Sequence, residues 1–244
     1  MKWLRLASLA GVVLAVLVLA ASMATLYAAN VEVSVGNRRG VMFEEAQVVS
    51  VGSGSITALV DGSLVELRAG GKWLVVAEGA LCEANWSKVA ELVGEGSAKL
   101  AFIKEAEGSL SVLLGLKQGD VLVFKPALLE LCARRWLHTR TYLSVRARIV
   151  EKGSNYLVLE RNSRRALAFI NGSWVKAGVG EVQWSQVADE FKVGDEVRLF
   201  CHNVLLVDQG FEEAFGLAGF IWGYSGAIID LSSGTALSRL VVAG

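Results

Sequence analysis

The residue types that most often do chemistry are scarce in this 244-residue sequence. It has two histidines, His138 and His202, and three cysteines, Cys82, Cys132 and Cys201. The two histidines with Cys132 and Cys201 would supply a two-Cys two-His metal set. The C-x₂-C and H-x₃-H spacings of zinc sites do not occur, however, and the adjacent Cys201-His202 pair is awkward for one tetrahedral ion. We therefore predict no metal site and no cofactor.

The sequence leaves the redox state of the three cysteines open. A disulfide between some pair is reasonable if the chain lies outside the cytoplasm, because disulfides persist in oxidising compartments. An odd number of cysteines leaves at least one thiol. Cys201 lies within a strand pattern and is most simply a small buried apolar residue.

No catalytic constellation emerges from the motifs. The sequence has no G-x-S-x-G motif and no evident Ser-His-Asp set. Pairs of adjacent acids, such as Glu44-Glu45 and Glu212-Glu213, are typical of a solvated face. The stretch VGSGS at residues 51–55 lacks the lysine and helix of a phosphate-binding loop, so it indicates a turn. We predict that the protein is not an enzyme and has no catalytic residues.

Charge is distributed unevenly, although the formal net charge is zero. Residues 43–130 carry 7 basic and 12 acidic side chains, whereas residues 131–208 carry 12 basic and 8 acidic ones. The basic part contains the candidate polyanion-binding residues, which are Arg134, Arg135, Arg161, Arg164 and Arg165. Arginines on surface loops are most often plain solvated surface, so the cluster supports a polyanion ligand only as the alternative function.

The N-terminus predicts a membrane location. Lys2 and Arg5 precede an uncharged apolar run of 24 residues, 6–29, which is long enough to span a bilayer as a helix. A small-residue site at residues 22–24 leaves a cleaved signal peptide, and hence secretion, as the alternative. We expect a single-pass protein with a cytoplasmic N-terminus and an extracytoplasmic body. Arg38 and Arg39 argue for the reverse orientation, whereas the Asn-x-Ser sequons at Asn85 and Asn171 fit the expected one.

A duplicated pattern is the strongest structural signal. The stretch WSKVA at residues 86–90 returns as WSQVA 98 positions later, at residues 184–188. GKWLV at residues 71–75 parallels GSWVK at 172–176, and similar strand-like stretches precede and follow both copies. Five elements in the same order indicate two copies of one module. We predict that four tryptophans form the equivalent structural cores: Trp73, Trp86, Trp174 and Trp184.

Each copy predicts short strands followed by one short helix. Apolar and β-branched residues alternate in runs bounded by Gly, Ser and Asn. Asp61-Gly62 and Asn171-Gly172 are good hairpin turns, because both central residues of a type I′ turn need positive φ. Ser87 or Ser185 would cap the helix that follows each repeated tryptophan.

Three strands, a short helix and two more strands is the order found in OB-type barrels, and the two modules resemble that fold in order and length. The resemblance implies a mainly β protein in which an N-terminal transmembrane helix precedes two tandem OB-like barrels. It carries no functional motif, and a fold alone implies no function. The predicted organisation is an anchor or signal peptide (1–29), a linker (30–42), a first β module (43–126), a connecting helix (127–143), a second β module (144–208) and an apolar, glycine-rich C-terminal segment (209–244).

The apolar core of the C-terminal segment is short and interrupted by glycines, which argues against a second membrane span. We expect it to pack on the body or to form a strand pair with residues 237–242.

The predicted function is that of a membrane-anchored, extracytoplasmic, non-enzymatic interaction or structural protein. It would bind other proteins or itself, because modules of opposite charge attract within one molecule or between neighbours. The alternative is a polyanion-binding protein that uses the basic second module on nucleic acid, glycan or anionic lipid. The sequence predicts no small-molecule substrate.

Overall fold

The structure is a computed structural model that describes residues 40–104, 111–222 and 226–239. The predicted membrane anchor and most of the linker lie outside the described residues. Among the described residues, the helices are short, and none has the length and apolar character needed to cross a bilayer.

The first module is built from eight strands and one short helix. The strands are β1 (Val41–Val51), β2 (Ser55–Val60), β3 (Ser63–Arg68), β4 (Lys72–Ala77), β5 (Ala80–Asn85), β6 (Gly96–Ile103), β7 (Ser111–Gln118) and β8 (Val121–Phe124), with helix α1 (Trp86–Leu92) between β5 and β6. A second helix, α2 (Pro126–Leu131), leads to the second module.

The second module repeats this plan with a longer first strand. Its strands are β9 (Ala133–Lys152), β10 (Tyr156–Arg161), β11 (Arg164–Phe169), β12 (Ser173–Lys176), β13 (Gly180–Gln183), β14 (Glu196–Val207), β15 (Gly219–Trp222), β16 (Ala227–Asp230) and β17 (Ala236–Ser238). Helix α3 (Trp184–Val187) precedes β14, and helix α4 (Gln209–Phe215) follows it.

Each module contains a closed five-stranded barrel. In the first, β1, β2, β3, β7 and β6 form a ring in which only the β3–β7 pair is parallel, with Leu67 opposite Ser111. In the second, β9, β10, β11, β15 and β14 form the same ring, and its parallel pair is β11–β15, with Ala166 opposite Gly219. The two barrels therefore fit small OB-like modules in tandem, as the sequence predicted.

The repeat extends to the strands outside the rings. The β4–β5 hairpin joins the first barrel through β8, with Val75 opposite Val123. The β12–β13 hairpin joins the second through β17, with Lys176 opposite Leu237. In the first module, the single strand β7 pairs with β6. In the second module, two strands, β15 and β16, pair with β14, which is the counterpart of β6.

The four repeated tryptophans are buried at equivalent positions. Trp73 and Trp174 are 0% and 1% exposed, and Trp86 and Trp184 are each 2% exposed. A cation lies over the first repeated tryptophan of each module. The Lys125 ammonium is 5.2 Å from the centre of the Trp73 ring, and the Arg239 guanidinium is 4.9 Å from the centre of the Trp174 ring. The four rings are thus alike in burial but not in their ring contacts, because Trp73 packs on Trp86 at 5.3 Å whereas Trp184 packs on Phe191 at 5.3 Å.

Two local expectations need correction. The short helices begin at Trp86 and Trp184, so neither serine is the cap; Gln183 and Gln186 form a capping box on α3 instead. Asn171-Gly172 links β11 to β12, which do not pair with each other, so it is not a hairpin turn. Asp61-Gly62 does have positive φ at both residues, 48° and 78°, as a type I′ turn requires.

The predicted connecting helix over 127–143 is wrong beyond its first turns. The helix ends at Leu131, and residues from Ala133 onward are strand. Helix propensity is a weak local preference, whereas the pairing of Ala133–His138 with Asn203–Val207 satisfies backbone groups along a whole ribbon. The boundary expected at residue 144 therefore falls inside β9.

The C-terminal segment is also not a separate element. Its strand β15 is the fifth strand of the second barrel, so a boundary at residue 208 would leave that barrel open. A strand pair is present as β16 and β17, with Ile228 opposite Leu237, but β17 spans only Ala236–Ser238, and residues 240–242 of the expected strand lie outside the described residues.

Three apolar clusters form the core. One fills the first barrel and one fills the second. The third lies between the modules and includes four aromatic rings that are at most 1% exposed: Phe124, Phe211, Phe215 and Phe220. The modules are therefore joined by a buried apolar junction within one body.

Candidate binding groove at the module junction

The usual ligand face of an OB-type barrel is the outer surface of its second and third strands with the adjoining loops. In the second module these strands are β10 and β11. Their outward side chains Tyr156, Val158 and Leu167 are at most 6% exposed and belong to the junction cluster, together with Leu81 and Leu122 of the first module. The first module thus covers most of this face.

Polar contacts fix the covered face. The side-chain amide of Asn155, in the β9–β10 loop, accepts from the Leu81 N–H at 2.9 Å and donates to the Leu81 carbonyl at 2.7 Å. The Ser154 N–H donates to the Gly79 carbonyl at 2.6 Å. These bonds cover the β4–β5 turn at Gly79 and the first residues of β5, a strand that otherwise forms an edge of the sheet.

Helix α4 closes the other side of the junction. Asp208 caps it by accepting from the Phe211 N–H at 3.0 Å. Phe211 and Phe215 point into the junction with ring centroids 4.8 Å apart. Lys117 of the first module donates to the Phe215 carbonyl at 3.1 Å, where the negative end of the helix favours a cation.

The end of the face that remains open is an aromatic groove of about 470 Å³. We call it the junction groove, and it is lined by Leu74, Pro126, Leu129, Glu130, Trp136, Phe169 and Trp222. It draws on β4 of the first module, on α2, and on β9, β11 and β15 of the second. Ligand sites are commonly concave, apolar and located where modules meet.

The aromatic rings of the groove meet at right angles. The Trp136 and Trp222 ring centroids are 5.1 Å apart at 87°, and those of Phe169 and Trp222 are 6.3 Å apart at 81°. Such edge-to-face contacts hold the rings in place without ligand. Trp136 is 41% exposed. Among the described residues, it is the one aromatic residue of the large apolar residues that are exposed to solvent. The groove is therefore preformed, with an exposed indole at its rim.

The charge at the groove is sparse. Glu130, which is exposed on α2, is the one ionisable side chain in the lining. On β9, His138 lies two residues after Trp136 and so shares its face of the strand, whereas Arg134 lies in a bulge where the pairing with β14 shifts between Ala133 and Arg135. The His138 ring is hydrogen-bonded to Asn203, the residue opposite it on β14.

The predicted polyanion residues do not form one cluster. Arg134 and Arg135 are exposed at the start of β9, whereas the other three lie at the β10–β11 turn. Arg164 makes a two-pronged contact with Glu212, at 3.0 and 2.7 Å, which raises the pKa of its guanidinium. Arg165 donates to Glu160 at 2.9 Å.

Arg161 lines a separate polar depression of about 450 Å³ that includes none of the other four predicted arginines. Two further arginines and two glutamates share this depression. Arg146 binds Glu196 through two bonds of 2.6 and 2.7 Å, a pairing that lowers the pKa of the Glu196 carboxyl. Much of the basic charge is therefore matched by nearby acids.

One row across the second barrel has alternating charge. Glu196, Arg148, Glu160 and Arg165 lie opposite one another on successive strands. The equivalent row of the first barrel is Ser97, Gln47, Leu59 and Leu64, which carries no charge. The basic composition of the second module is therefore partly a self-neutralising surface ladder, in which opposite charges face each other.

The cysteines and histidines supply no further site within the described residues. No three His, Cys, Asp or Glu side chains converge there as a metal cluster, and no disulfide joins the three cysteines. Burial raises the pKa of the Cys201 thiol to about 11, so it stays protonated at neutral pH. Cys82 is exposed on β5.

Sequence reasoning missed Trp136, Phe169 and Trp222. A usable signal was present, because Trp136 and Trp222 have no tryptophan counterpart in the first module, whereas the four core tryptophans recur. A ligand surface is expected in one copy of a duplication more than in both.

Comparison of the chain with protein-family models, with curated proteins and with solved structures gives no match. A fold alone does not identify a function, so the chemistry of the groove decides which function this chain supports.

Proposed function

We propose that this chain is a non-enzymatic binding protein that holds a segment of another protein molecule in the junction groove. The observation that carries the proposal is the exposed, preformed aromatic surface of Trp136, Trp222 and Phe169 at the open end of an otherwise covered OB-type face. Aromatic side chains in a desolvated pocket are the usual anchors of protein recognition.

The junction supports this function by fixing the walls of the groove. Leu74 comes from the first module, whereas Phe169 and Trp222 come from the second. Because buried aromatic rings and the Asn155–Leu81 bonds join the modules, the walls need no rearrangement when a ligand binds. A rigid site avoids part of the entropy cost of association.

We further propose that residues 1–29 anchor the chain in a membrane and that the body lies outside the cytoplasm. Support comes from the length of the uncharged run and from the exposure of both sequon asparagines, Asn85 and Asn171. Protease added to intact cells is expected to degrade the body; full protection until the cells are lysed would contradict this orientation.

The proposed function is tested by site-specific photo-crosslinking of the full chain in its own cells. The crosslinker benzoylphenylalanine replaces Ala127, which is exposed beside Pro126. The matched control places it at Leu64, which is 68% exposed on β3 of the first barrel. We expect a discrete crosslinked protein from position 127, and not from position 64, that disappears when Trp136→Ala is introduced.

Two results would count against the function. One is the same set of crosslinks from both positions, and the other is a crosslink at 127 that persists undiminished in the Trp136→Ala chain. A product with twice the mass of the chain would identify the bound protein as a second copy.

Polyanion binding remains a second candidate because Arg134 and Arg135 directly precede Trp136 and are exposed. Single-stranded nucleic acid is commonly held by such a combination of stacking ring and cations. A labelled oligonucleotide should then show a salt-dependent mobility shift with the full chain in zwitterionic nanodiscs. The shift should be lost in the double variant Arg134→Ala/Arg135→Ala or in the triple variant that replaces Arg161, Arg164 and Arg165 with alanine. If the unaltered chain gives no mobility shift at moderate salt, polyanion binding is excluded as a function.

A further inference from the structure

The junction groove offers a ligand apolar surface and few hydrogen-bonding partners. The polar side-chain atoms of its lining are the Glu130 carboxylate and the indole N–H groups of Trp136 and Trp222. An ordinary extended peptide would bring backbone N–H donors into this surface, and a buried donor without an acceptor is costly. A segment without N–H groups avoids that cost, and proline is the residue that lacks one.

The ring geometry favours the same kind of ligand. Rings that meet at 87° and 81° leave angular recesses between the face of one and the edge of the next. A polyproline II helix projects compact rings at a rise of about 3.1 Å per residue and is already extended before binding. Aromatic-lined grooves recognise proline-rich segments in this way, with a low entropy cost.

The charged residue in the groove lining indicates which type of residue lies next to the proline run. Glu130 is exposed at the α2 wall, and it is the one ionisable side chain among the seven that line the groove. A lysine or arginine next to the proline run would meet this carboxylate. An acidic residue there would be repelled, and Arg134, which lies in a bulge of β9, is not among the lining residues that could offset this repulsion.

The composition of the chain indicates where such a segment comes from. The sequence contains a single proline, Pro126, and this residue is itself part of the groove wall. Neither this chain nor a second copy of it has a proline-rich run to supply. The occupant therefore belongs to a different protein.

We propose that the junction groove binds a proline-rich segment of a partner protein in the polyproline II conformation, with a basic residue placed against Glu130. This inference rests on the proposed function and names the partner's chemistry.

The experiment is fluorescence polarisation with the full chain in zwitterionic nanodiscs. Three labelled twelve-residue peptides serve as probes: a proline-rich peptide ending in arginine, the same peptide ending in glutamate, and a peptide in which Thr and Val replace the prolines. We expect saturable binding of the Pro-Arg peptide, weaker binding of the Pro-Glu peptide, and no saturable binding of the Thr-Val peptide.

Variants assign the binding to the groove. Trp136→Ala should weaken binding of the Pro-Arg peptide by at least about tenfold, since aromatic anchors dominate such sites. Glu130→Gln should weaken it by roughly two- to fivefold, as expected for an exposed ion pair, and Glu130→Lys should reverse the preference for Arg over Glu. Leu64→Ala, which removes an exposed apolar side chain elsewhere, should change nothing.

The proposal is overturned if the Pro-Arg peptide does not bind saturably, or if Trp136→Ala binds it as well as the unaltered chain does. Tighter binding of the Thr-Val peptide would show that the groove takes an added strand, which also overturns it. A Trp136-dependent crosslink in cells, combined with failure of all proline peptides, would leave the proposed function standing and refute only this inference.

Discussion

At the scale of single residues, the two modules differ in how their buried indoles are satisfied. The Trp73 N–H donates to the Ala69 carbonyl at 2.9 Å, and the Trp86 N–H donates to the Gly52 carbonyl at 2.9 Å. The indole N–H groups of Trp174 and Trp184 are buried with no acceptor among the described residues. The two copies therefore share the buried rings, but the indole hydrogen bonds are present in one copy only.

This difference gives a matched pair of substitutions. Trp73→Phe removes a hydrogen bond and leaves the buried Ala69 carbonyl unsatisfied, whereas Trp174→Phe removes a donor that has no partner. We expect Trp73→Phe to lower the free energy of unfolding by about 1 kcal/mol more than Trp174→Phe, because the loss of ring volume is the same in both. Chemical denaturation followed by far-UV circular dichroism measures it; an equal or larger loss in Trp174→Phe would contradict the assignment.

A second prediction concerns alkaline pH. Burial raises the pKa of the Cys201 thiol from 9.0 to about 11, so the folded chain holds this proton more tightly than the unfolded chain. The contribution to stability is complete below pH 9 and is lost as pH rises towards 11, by about 2–3 kcal/mol in all.

The test compares unfolding free energies at pH 9 and pH 10. Cys201→Ala should reduce the loss of unfolding free energy between pH 9 and pH 10. Cys82→Ala, at an exposed position, should show the same loss as the unaltered chain. An unchanged slope in Cys201→Ala would show that the buried thiol does not govern stability in this range.

At the scale of elements, α2 and α4 both pack on β7 at Gly115. A Cβ atom added there would lie 2.8 Å from the Leu128 side chain of α2 and 2.9 Å from the Phe215 ring of α4. Both side chains are at most 1% exposed, so neither has free space to move into. The approach of two helices to one strand therefore depends on the missing side chain at residue 115.

Gly115→Ala is expected to destabilise the fold by about 1–3 kcal/mol through overpacking. The matched control is Gly54→Ala, in the exposed β1–β2 turn, where an added Cβ meets nothing within 4 Å. Denaturation midpoints of the two variants provide the comparison. Equal midpoints would mean that the helices give way at little cost.

At the scale of the whole molecule, the junction joins the two barrels through one buried apolar cluster. Its cluster contains buried residues from strands β4 to β8 of the first module and from β10, β11, β14 and β15 of the second. Helices α2 and α4 contribute to it as well. The opposite charges of the modules are secondary to this, because exposed ion pairs contribute little and apolar burial contributes more. Modules joined in this way should unfold together.

The prediction is tested with Phe215→Ala. Phe215 is 1% exposed and contacts Phe43 of the first module and Phe211 of its own helix, with ring centroids 6.0 and 4.8 Å away. Its loss should cost about 3–5 kcal/mol. Hydrogen exchange should show β1–β2 and β10–β11 losing protection by the same amount, whereas loss confined to β10–β11 would mean that the barrels open independently.

The sequence by itself determined the duplication, the barrel order and the four core tryptophans, because a repeated module leaves its pattern in the linear order of residues and its strands pair mostly with near neighbours. It also located the turn at Asp61-Gly62, where local φ preferences decide. It did not reveal that Ala133–His138 is strand or that β15 closes the second barrel, since both depend on pairing with distant residues. Only the tertiary structure decided that one module covers the ligand face of the other and leaves an aromatic groove. The reason is that Leu74, Trp136 and Trp222 are far apart in the chain, and no local pattern records that packing brings them together.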